Sequence, residues 1–370
     1  MSIVGKWLNP DIGGIRPYEP GCPIEEVARR MGMDPEVISK LASNENPLGV
    51  SPLALRAMLA KSREMFRYPD GGAYYLCRKL AAHHQVEADR IALGAGSNEL
   101  LEFIGHCFFA QDRSIVVSAH AFVIYKLVAR MFGARIIEVP AKNLGHDLEA
   151  MAAAVEPDTC AVFVCNPNNP TGTMVAQPEV EAFLDQISAD VLVVFDEAYA
   201  EIALAPMPDT LELLGRKPNC LMLRTFSKAY GLAGMRIGYG IGAPEIIAAF
   251  NQARQPFNVN RLAQEAALAA LDDDDFILRS RALFSESKAY LEEACARLAI
   301  EYVPSFANFM LLKTGDGAAV TRRLMEKGVI VRPMDGYGLP DHFRVSYGTM
   351  EENRRFIDTL TEVLGLSGKP

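Results

Sequence analysis

The chain has no CxxC pair. Its seven cysteines, Cys22, Cys77, Cys107, Cys160, Cys165, Cys220 and Cys295, lie scattered along 370 residues. Such spacing offers neither a disulfide framework nor a zinc site, and the thiols read as reduced and mostly buried. Positive charge is in deficit: 37 Lys plus Arg stand against 46 Asp plus Glu, for a net charge of −9. No global field would attract a polyanion, so nucleic acid is not an expected partner. No run approaches the roughly 18 apolar residues of a membrane span, and Met1 to Gly14 carries no apolar signal core. A cytoplasmic protein with no membrane partner is therefore expected. Internal repeats and low-complexity segments are absent too. The histidines show no HExxH or other ligand spacing, so no metal is expected. What is present is 50% hydrophobic and 22% charged residues, the composition of a compact protein with a sizeable core.

From about residue 90 onward, short apolar runs alternate with amphipathic helical patterns. Strands are expected at Arg90–Leu93, Ser114–Ser118, Ala134–Val139, Ala161–Cys165, Val191–Phe195, Cys220–Leu223 and Arg236–Ile241, with helices between them such as Asn98–Phe109 and Phe122–Phe132. This alternation predicts βαβ units and a mostly parallel sheet. The uninterrupted apolar run VLVVF at 191–195 suits a strand covered on both faces. After about residue 243 long helices follow one another, and then three short strands around Asn308–Lys313, Val329–Arg332 and Phe343–Tyr347, the pattern of a second, smaller α+β domain. The acidic run Asp272–Asp275 lacks calcium-loop spacing and reads as the start of a helix.

Three segments carry chemistry. Thr225–Gly238 (TFSKAYGLAGMRIG) places Lys228 directly after a strand, beside Thr225 and Ser227, with Arg236 eight residues on. A lysine leaving an apolar strand into a glycine-rich turn is poorly solvated, which lowers its pKa and makes it a candidate Schiff-base residue. Thr225, Ser227 and Arg236 offer donors to one nearby phosphate. Asp196–Tyr199 (DEAY) follows the buried strand, where ligands bind in open α/β sheets. Asp196 could hold a protonated pyridine nitrogen, and Tyr199 could donate to the phenolic oxygen of the same ring. Asn166–Gly172 (NPNNPTG) also follows a strand and could aim the Asn169 amide at that oxygen. Nearer the start, Gly94–Glu99 (GAGSNE) joins a strand to a helix, so Ala95, Gly96 and Ser97 could cradle a phosphate, although the third glycine of a dinucleotide fingerprint is missing. Taken singly, each segment is also an ordinary turn; their order along the chain distinguishes them.

That order, GAGSNE, then AFVIY at 121–125, then NPNNPTG, DEAY and T-x-S-K-x5-G-x-R-x-G, resembles the fold-type-I pyridoxal-phosphate aminotransferases over nearly the whole chain. The segments NPDIGGIRPYEPG, KLASNENPLG, RYPDGGAYYLCRKLA and FRVSYGTMEEN are similar to one subgroup, the histidinol-phosphate aminotransferases. The resemblance implies an α/β fold: a mostly parallel seven-stranded sheet covered by helices, a smaller C-terminal α+β domain and an N-terminal arm. It divides the chain into an arm with a first helix at 1–40, a large cofactor-binding domain at 41–255 and a small domain at 256–370. The implied cofactor is pyridoxal 5'-phosphate, bound covalently by Lys228, with Asp196 on the ring nitrogen, Asn169 and Tyr199 on the ring oxygen and Phe122 stacked on the ring. Its phosphate would lie among Ala95, Gly96, Ser97, Thr225, Ser227 and Arg236, with Tyr68 reaching it from a neighbouring subunit of a homodimer. Substrate would be held by Tyr18, Asn46, Arg332 and Arg344.

The expected reaction is ping-pong transamination between histidinol phosphate and 2-oxoglutarate. Two arginine guanidiniums suit a phosphate or a carboxylate equally, so an aromatic amino-acid aminotransferase stays open as an alternative. So does a decarboxylase acting on a phosphorylated amino acid. A cofactor-binding transcriptional regulator would need a basic recognition helix, and the acidic chain shows none.

Overall fold

The computed structural model describes residues 2–15, 17 and 21–366. The strands in chain order are β1 (Ser39–Lys40), β2 (Ile91–Gly94), β3 (Ser114–Ser118), β4 (Arg135–Val139), β5 (Thr159–Cys165), β6 (Leu192–Asp196), β7 (Cys220–Thr225), β8 (Gly238–Ile241), β9 (Glu301–Val303), β10 (Phe309–Lys313), β11 (Val329–Ile330), β12 (Arg332–Pro333) and β13 (His342–Ser346). Seven of them form one sheet in the order β2-β8-β7-β6-β5-β3-β4. Its central strands β3, β6 and β8 are buried along their whole length, and helices cover both faces, as their continuous apolar character requires. All neighbours pair in parallel except β8, which runs against both β2 and β7.

A second sheet, β12-β13-β10-β9, is antiparallel throughout and is packed by the helices Gly317–Glu326 and Asp274–Leu298, with Phe356 of helix Met350–Leu364 against Phe343 of β13. The expected seven-stranded sheet and smaller C-terminal sheet are both present. Strand edges lie within two residues of the expected ones, with Ser114–Ser118 matched at both ends, and the single strand expected at Val329–Arg332 is two: β11 pairs with β1 while β12 pairs with β13.

The expected boundary at residue 255 falls between the helices Pro244–Ala253 and Arg261–Ala270. Helix Arg261–Ala270 packs on the helices Pro52–Lys61 and Tyr74–His84, burying Ala263, Ala266, Ala267 and Ala270 along one face. Small side chains at three- and four-residue spacing let helix backbones approach closely, so this face seats against those two helices. Asp273 starts the long helix Asp274–Leu298, but its carboxylate accepts from Ser51 Oγ at 2.5 Å and from the Leu53 backbone at 3.2 Å, at the start of helix Pro52–Lys61. The acidic run is thus structural.

Candidate active site

Register decides where the phosphate-binding candidates meet. Thr225 ends β7 opposite Gly238 of β8, and Gly238 lies opposite Gly94 at the end of β2. Because β8 is antiparallel, the loop before it (Arg236), the loop after β7 (Ser227, Lys228) and the loop after β2 (95–97) emerge at one sheet edge. Thr225 Oγ1 donates to Ser227 Oγ at 3.0 Å and accepts the Ser227 backbone N–H at 3.1 Å, holding the two hydroxyls side by side. Arg236, in left-handed backbone at φ 57°, donates to the Ala233 and Ala95 carbonyls. A Cβ on Gly96 (φ 82°) would stand 2.4 Å from the Arg236 guanidinium, so only glycine lets the arginine close over this loop. Ser97 and Asn98 open the helix Ser97–Phe108 and line the cavity with the N-terminal end of its dipole.

The opposite end is built on Asp196, buried at the end of β6. Burial raises its carboxyl to about 6 against the pull of its hydrogen bonds. Oδ2 accepts from Tyr125 Oη at 2.7 Å; Oδ1 has no partner among the described residues. Tyr125, stacked on Phe163 with ring centroids 4.7 Å apart, fixes the carboxylate from below. The Phe122 ring stands edge-on to Tyr125 at 5.7 Å and lines the same cavity.

Lys228 closes the centre. Its Nζ donates to the Ser43 carbonyl at 2.9 Å, and burial first, then the positive charge of Arg344, lowers it to about 8. Tyr199 is buried beside it, with the lysine Nζ 6.0 Å from its ring centroid and Asn44 Nδ2 donating to its hydroxyl at 3.0 Å. Burial raises the Tyr199 hydroxyl above its ordinary value, so it stays protonated and able to donate. Arg344 on β13 donates to Asn169 Oδ1 and, at 2.8 Å, to the Ala42 carbonyl. Arg332 lies opposite it in register on β12 and lines the same cavity of about 270 Å³. Among the described residues, four cationic side chains therefore ring this hollow in a protein of net charge −9.

Most of the expected residues converge here: Ser97, Phe122, Asn169, Asp196, Tyr199, Thr225, Ser227, Lys228, Arg236, Arg332 and Arg344 all line the cavity. Others do not. The Ala95 N–H is donated to Glu99 Oε2 at 2.6 Å and the Gly96 N–H to the Gly94 carbonyl at 2.7 Å, so these two backbone donors are engaged, while Ser97 and Asn98 line the cavity. Asn46 is removed from the cavity as well. Its Nδ2 donates to the Ala229 carbonyl at 3.0 Å and Ser280 Oγ at 2.8 Å while its Oδ1 accepts from Leu48 N, which spends the amide on tying the 44–48 segment to the lysine loop. Tyr68 is 77% exposed, outside the cavity, and stacks on Phe257. Tyr18 lies outside the described residues.

Sequence reasoning missed Tyr125, although it sits in the quoted AFVIY run, and missed residues 42–44. In those three consecutive residues the Ala42 carbonyl holds Arg344, the Ser43 carbonyl holds Lys228 and the Asn44 amide holds Tyr199. Two of the contacts use backbone carbonyls, which no side-chain identity reveals.

The donor set fits a phosphorylated pyridine aldehyde. The orphaned, buried Asp196 Oδ1 suits a ring N–H, Phe122 offers a flat apolar face, Tyr199 and Asn169 stand at one side, and the hydroxyls, guanidinium and helix N-terminus suit a phosphate. A family model described as aminotransferase class I and II matches residues 36–360. Histidinol-phosphate aminotransferase 2 of Pseudomonas aeruginosa is 48% identical over 366 residues, covering 98% of this chain and 99% of that one. Histidinol-phosphate aminotransferase 1 of Thiobacillus denitrificans is 48% identical over 364 residues, covering 98% and 95%. Among solved structures, the histidinol-phosphate aminotransferase of Sinorhizobium meliloti in complex with pyridoxal-5'-phosphate superposes with a TM-score of 0.86 at 29% identity, covering 97% of each chain. Aspartate aminotransferase of Thermus thermophilus with maleate, at 23% identity and a TM-score of 0.82, shares the fold. With a family model spanning nine-tenths of the chain and near-half identity to these relatives end to end, the chain belongs to the class I and II aminotransferase family.

Proposed function

We propose that the protein is a pyridoxal-phosphate-dependent transaminase moving the amino group of L-histidinol phosphate to 2-oxoglutarate, a step of histidine biosynthesis, as a cytoplasmic homodimer. The observation that carries the substrate is the arginine pair. Arg332 and Arg344 stand in register on adjacent strands and line the cavity that also holds Lys228, a place for the phosphate of one substrate and a carboxylate of the other. The relatives at 48% identity carry the histidinol-phosphate name, which supports the same reading.

Pyridoxal phosphate, when bound, supplies an electron sink for the bond-breaking at the amino-bearing carbon. Asp196 holds the proton on the ring nitrogen, and Tyr125 keeps the carboxylate turned toward it. Lys228, with a pKa near neutrality, takes the proton from the substrate α-carbon and returns it on the other side of the exchange. Tyr199 and Asn169 orient the ring from its oxygen side, and Thr225, Ser227 and Arg236 fix it from the phosphate side. Arg344 and Arg332 anchor each substrate in turn, which gives a ping-pong order.

The dimer is supported by a patch of exposed apolar side chains within residues 55–75: Phe66 (79% exposed), Tyr68 (77%), Tyr75 (73%) and Leu59 (65%), with Leu55, Met65 and Tyr74 beside them. Free cysteines throughout, and no helix long and apolar enough to cross a membrane among the described residues, accord with the proposed location.

Glutamate formation across a panel of amino donors tests the substrate. Histidinol phosphate is expected to give the highest kcat/KM; a higher value for phenylalanine would transfer the assignment to an aromatic amino-acid aminotransferase.

A further inference from the structure

We propose that Asn44 is a positioning residue for Tyr199, making its hydroxyl a stronger and singly directed hydrogen-bond donor toward the cofactor ring. The inference rests on the reading above, in which Tyr199 faces the ring oxygen.

Counting donors and acceptors fixes the geometry. The backbone N–H of Asn44 donates to Ser346 Oγ at 2.8 Å, so the serine's own proton points elsewhere, and it is donated to Asn44 Oδ1 at 2.9 Å. With Oδ1 engaged, the amide has one orientation, and its Nδ2 faces Tyr199 Oη at 3.0 Å. The tyrosine oxygen accepts there and keeps its proton for an acceptor in the cavity. An O–H whose oxygen already accepts a bond is polarised and donates more strongly, most of all where the dielectric is low. Water does not compete, since Asn44 is 1% exposed, Tyr199 2% and Ser346 3%.

The backbone is prepared for the same task. Asn44 sits at φ 54°, a left-handed conformation that asparagine tolerates better than most residues, and Asn308 Nδ2 donates to its carbonyl at 3.1 Å. Ser346 lies two residues beyond Arg344 on β13, and its own N–H donates to the Leu41 carbonyl at 2.8 Å. The strand that carries a substrate arginine thus also holds the amide that aims the tyrosine.

The test titrates the absorbance of the bound cofactor in the holoenzyme against pH for wild type, Asn44→Gly, Tyr199→Phe and the double variant. Glycine is chosen because it accepts the positive φ. A donor to the ring oxygen stabilises its anionic form and disfavours the proton on the adjoining lysine–cofactor nitrogen, so losing that donor raises the observed pKa. Tyr199→Phe is expected to raise it by about one unit and Asn44→Gly by roughly half a unit, the size of one neutral hydrogen bond. In the Tyr199→Phe background, Asn44→Gly should move it by less than about 0.2 unit, because the two act as one pathway. An equal Asn44→Gly shift in both backgrounds, or none while Tyr199→Phe shifts, overturns the inference. No shift for Tyr199→Phe overturns the placement of Tyr199 and the inference with it. If Asn44→Gly fails to fold, Ser346→Ala is titrated in the same way; an upward shift present only with Tyr199 intact is expected, and its absence overturns the proposal.

Discussion

Lys228 and Asp196 are pushed in opposite chemical senses by one cause. Burial disfavours charge, so it lowers the amine to about 8 and raises the carboxyl to about 6. For the lysine the consequence is a pH dependence with a definite sign. Only the neutral amine has a lone pair to attack a carbonyl, and the neutral fraction grows tenfold per unit until the pKa is passed. The rate at which cofactor-free protein captures pyridoxal phosphate covalently is therefore expected to rise with pH and level off above about 8. Stopped-flow absorbance measures it; a rate still climbing tenfold per unit between pH 9 and 10 would contradict the depressed lysine. The motif around Lys228 was legible in sequence because the proposed chemistry lies in its side chains. Tyr125 was not, since its partner Asp196 is 71 residues away and only the packing of helix Val123–Met131 on β3 and β4 brings its hydroxyl to the end of β6.

Two glycines of ordinary appearance separate at the level of elements. Gly231, in the lysine loop, has φ 66°, and a Cβ there would stand 1.8 Å from the Gly49 carbonyl oxygen. Gly215, in helix Thr210–Arg216, has open space where a Cβ would stand, with no atom within 4 Å. Gly231→Ala must displace backbone in the segment that contacts the lysine loop and is expected to cost about 2–4 kcal/mol. Gly215→Ala is expected to be neutral or to stabilise by about 0.5–1 kcal/mol through helix propensity. Urea midpoints distinguish them, and equal effects would contradict the close approach. In sequence both are simply Gly; the difference arises from a contact between segments far apart along the chain. Strand existence was readable because buried parallel strands are apolar on both faces, whereas the split of Val329–Arg332 into β11 and β12 depends on which partner each half meets.

For the whole molecule, seven exposed aromatic and aliphatic side chains within residues 55–75 are the surface on which the proposed dimer rests. Tyr74 among them also lines a concavity of about 660 Å³ together with Asp70, Arg78, Arg254 and Phe257, into which the proposed second copy would fit. Sedimentation is expected to give a mass twice the 40.5 kDa chain. Phe66→Asp, which buries a charge in the proposed interface, should shift the protein toward monomer and weaken pyridoxal phosphate binding by about tenfold or more, as expected if Tyr68 completes the site of a second copy. A monomeric wild type with full cofactor affinity would contradict this. The packing of helix Arg261–Ala270 belongs to the same scale: the helix is alanine-rich, and its sequence does not say which neighbour its small-residue face meets.

The fold class and the order of the loops that follow the sheet strands were readable from the sequence alone, as were the side chains proposed to react, because hydrophobic period and local motif are properties of neighbours along the chain. The tertiary structure decided which donors remain free. Backbone groups are indistinguishable in sequence, so only folding shows that the Ala95 and Gly96 amides are engaged within their own loop, that Asn46 is committed to the lysine loop, and that the carbonyls of Ala42 and Ser43 hold Arg344 and Lys228 in place.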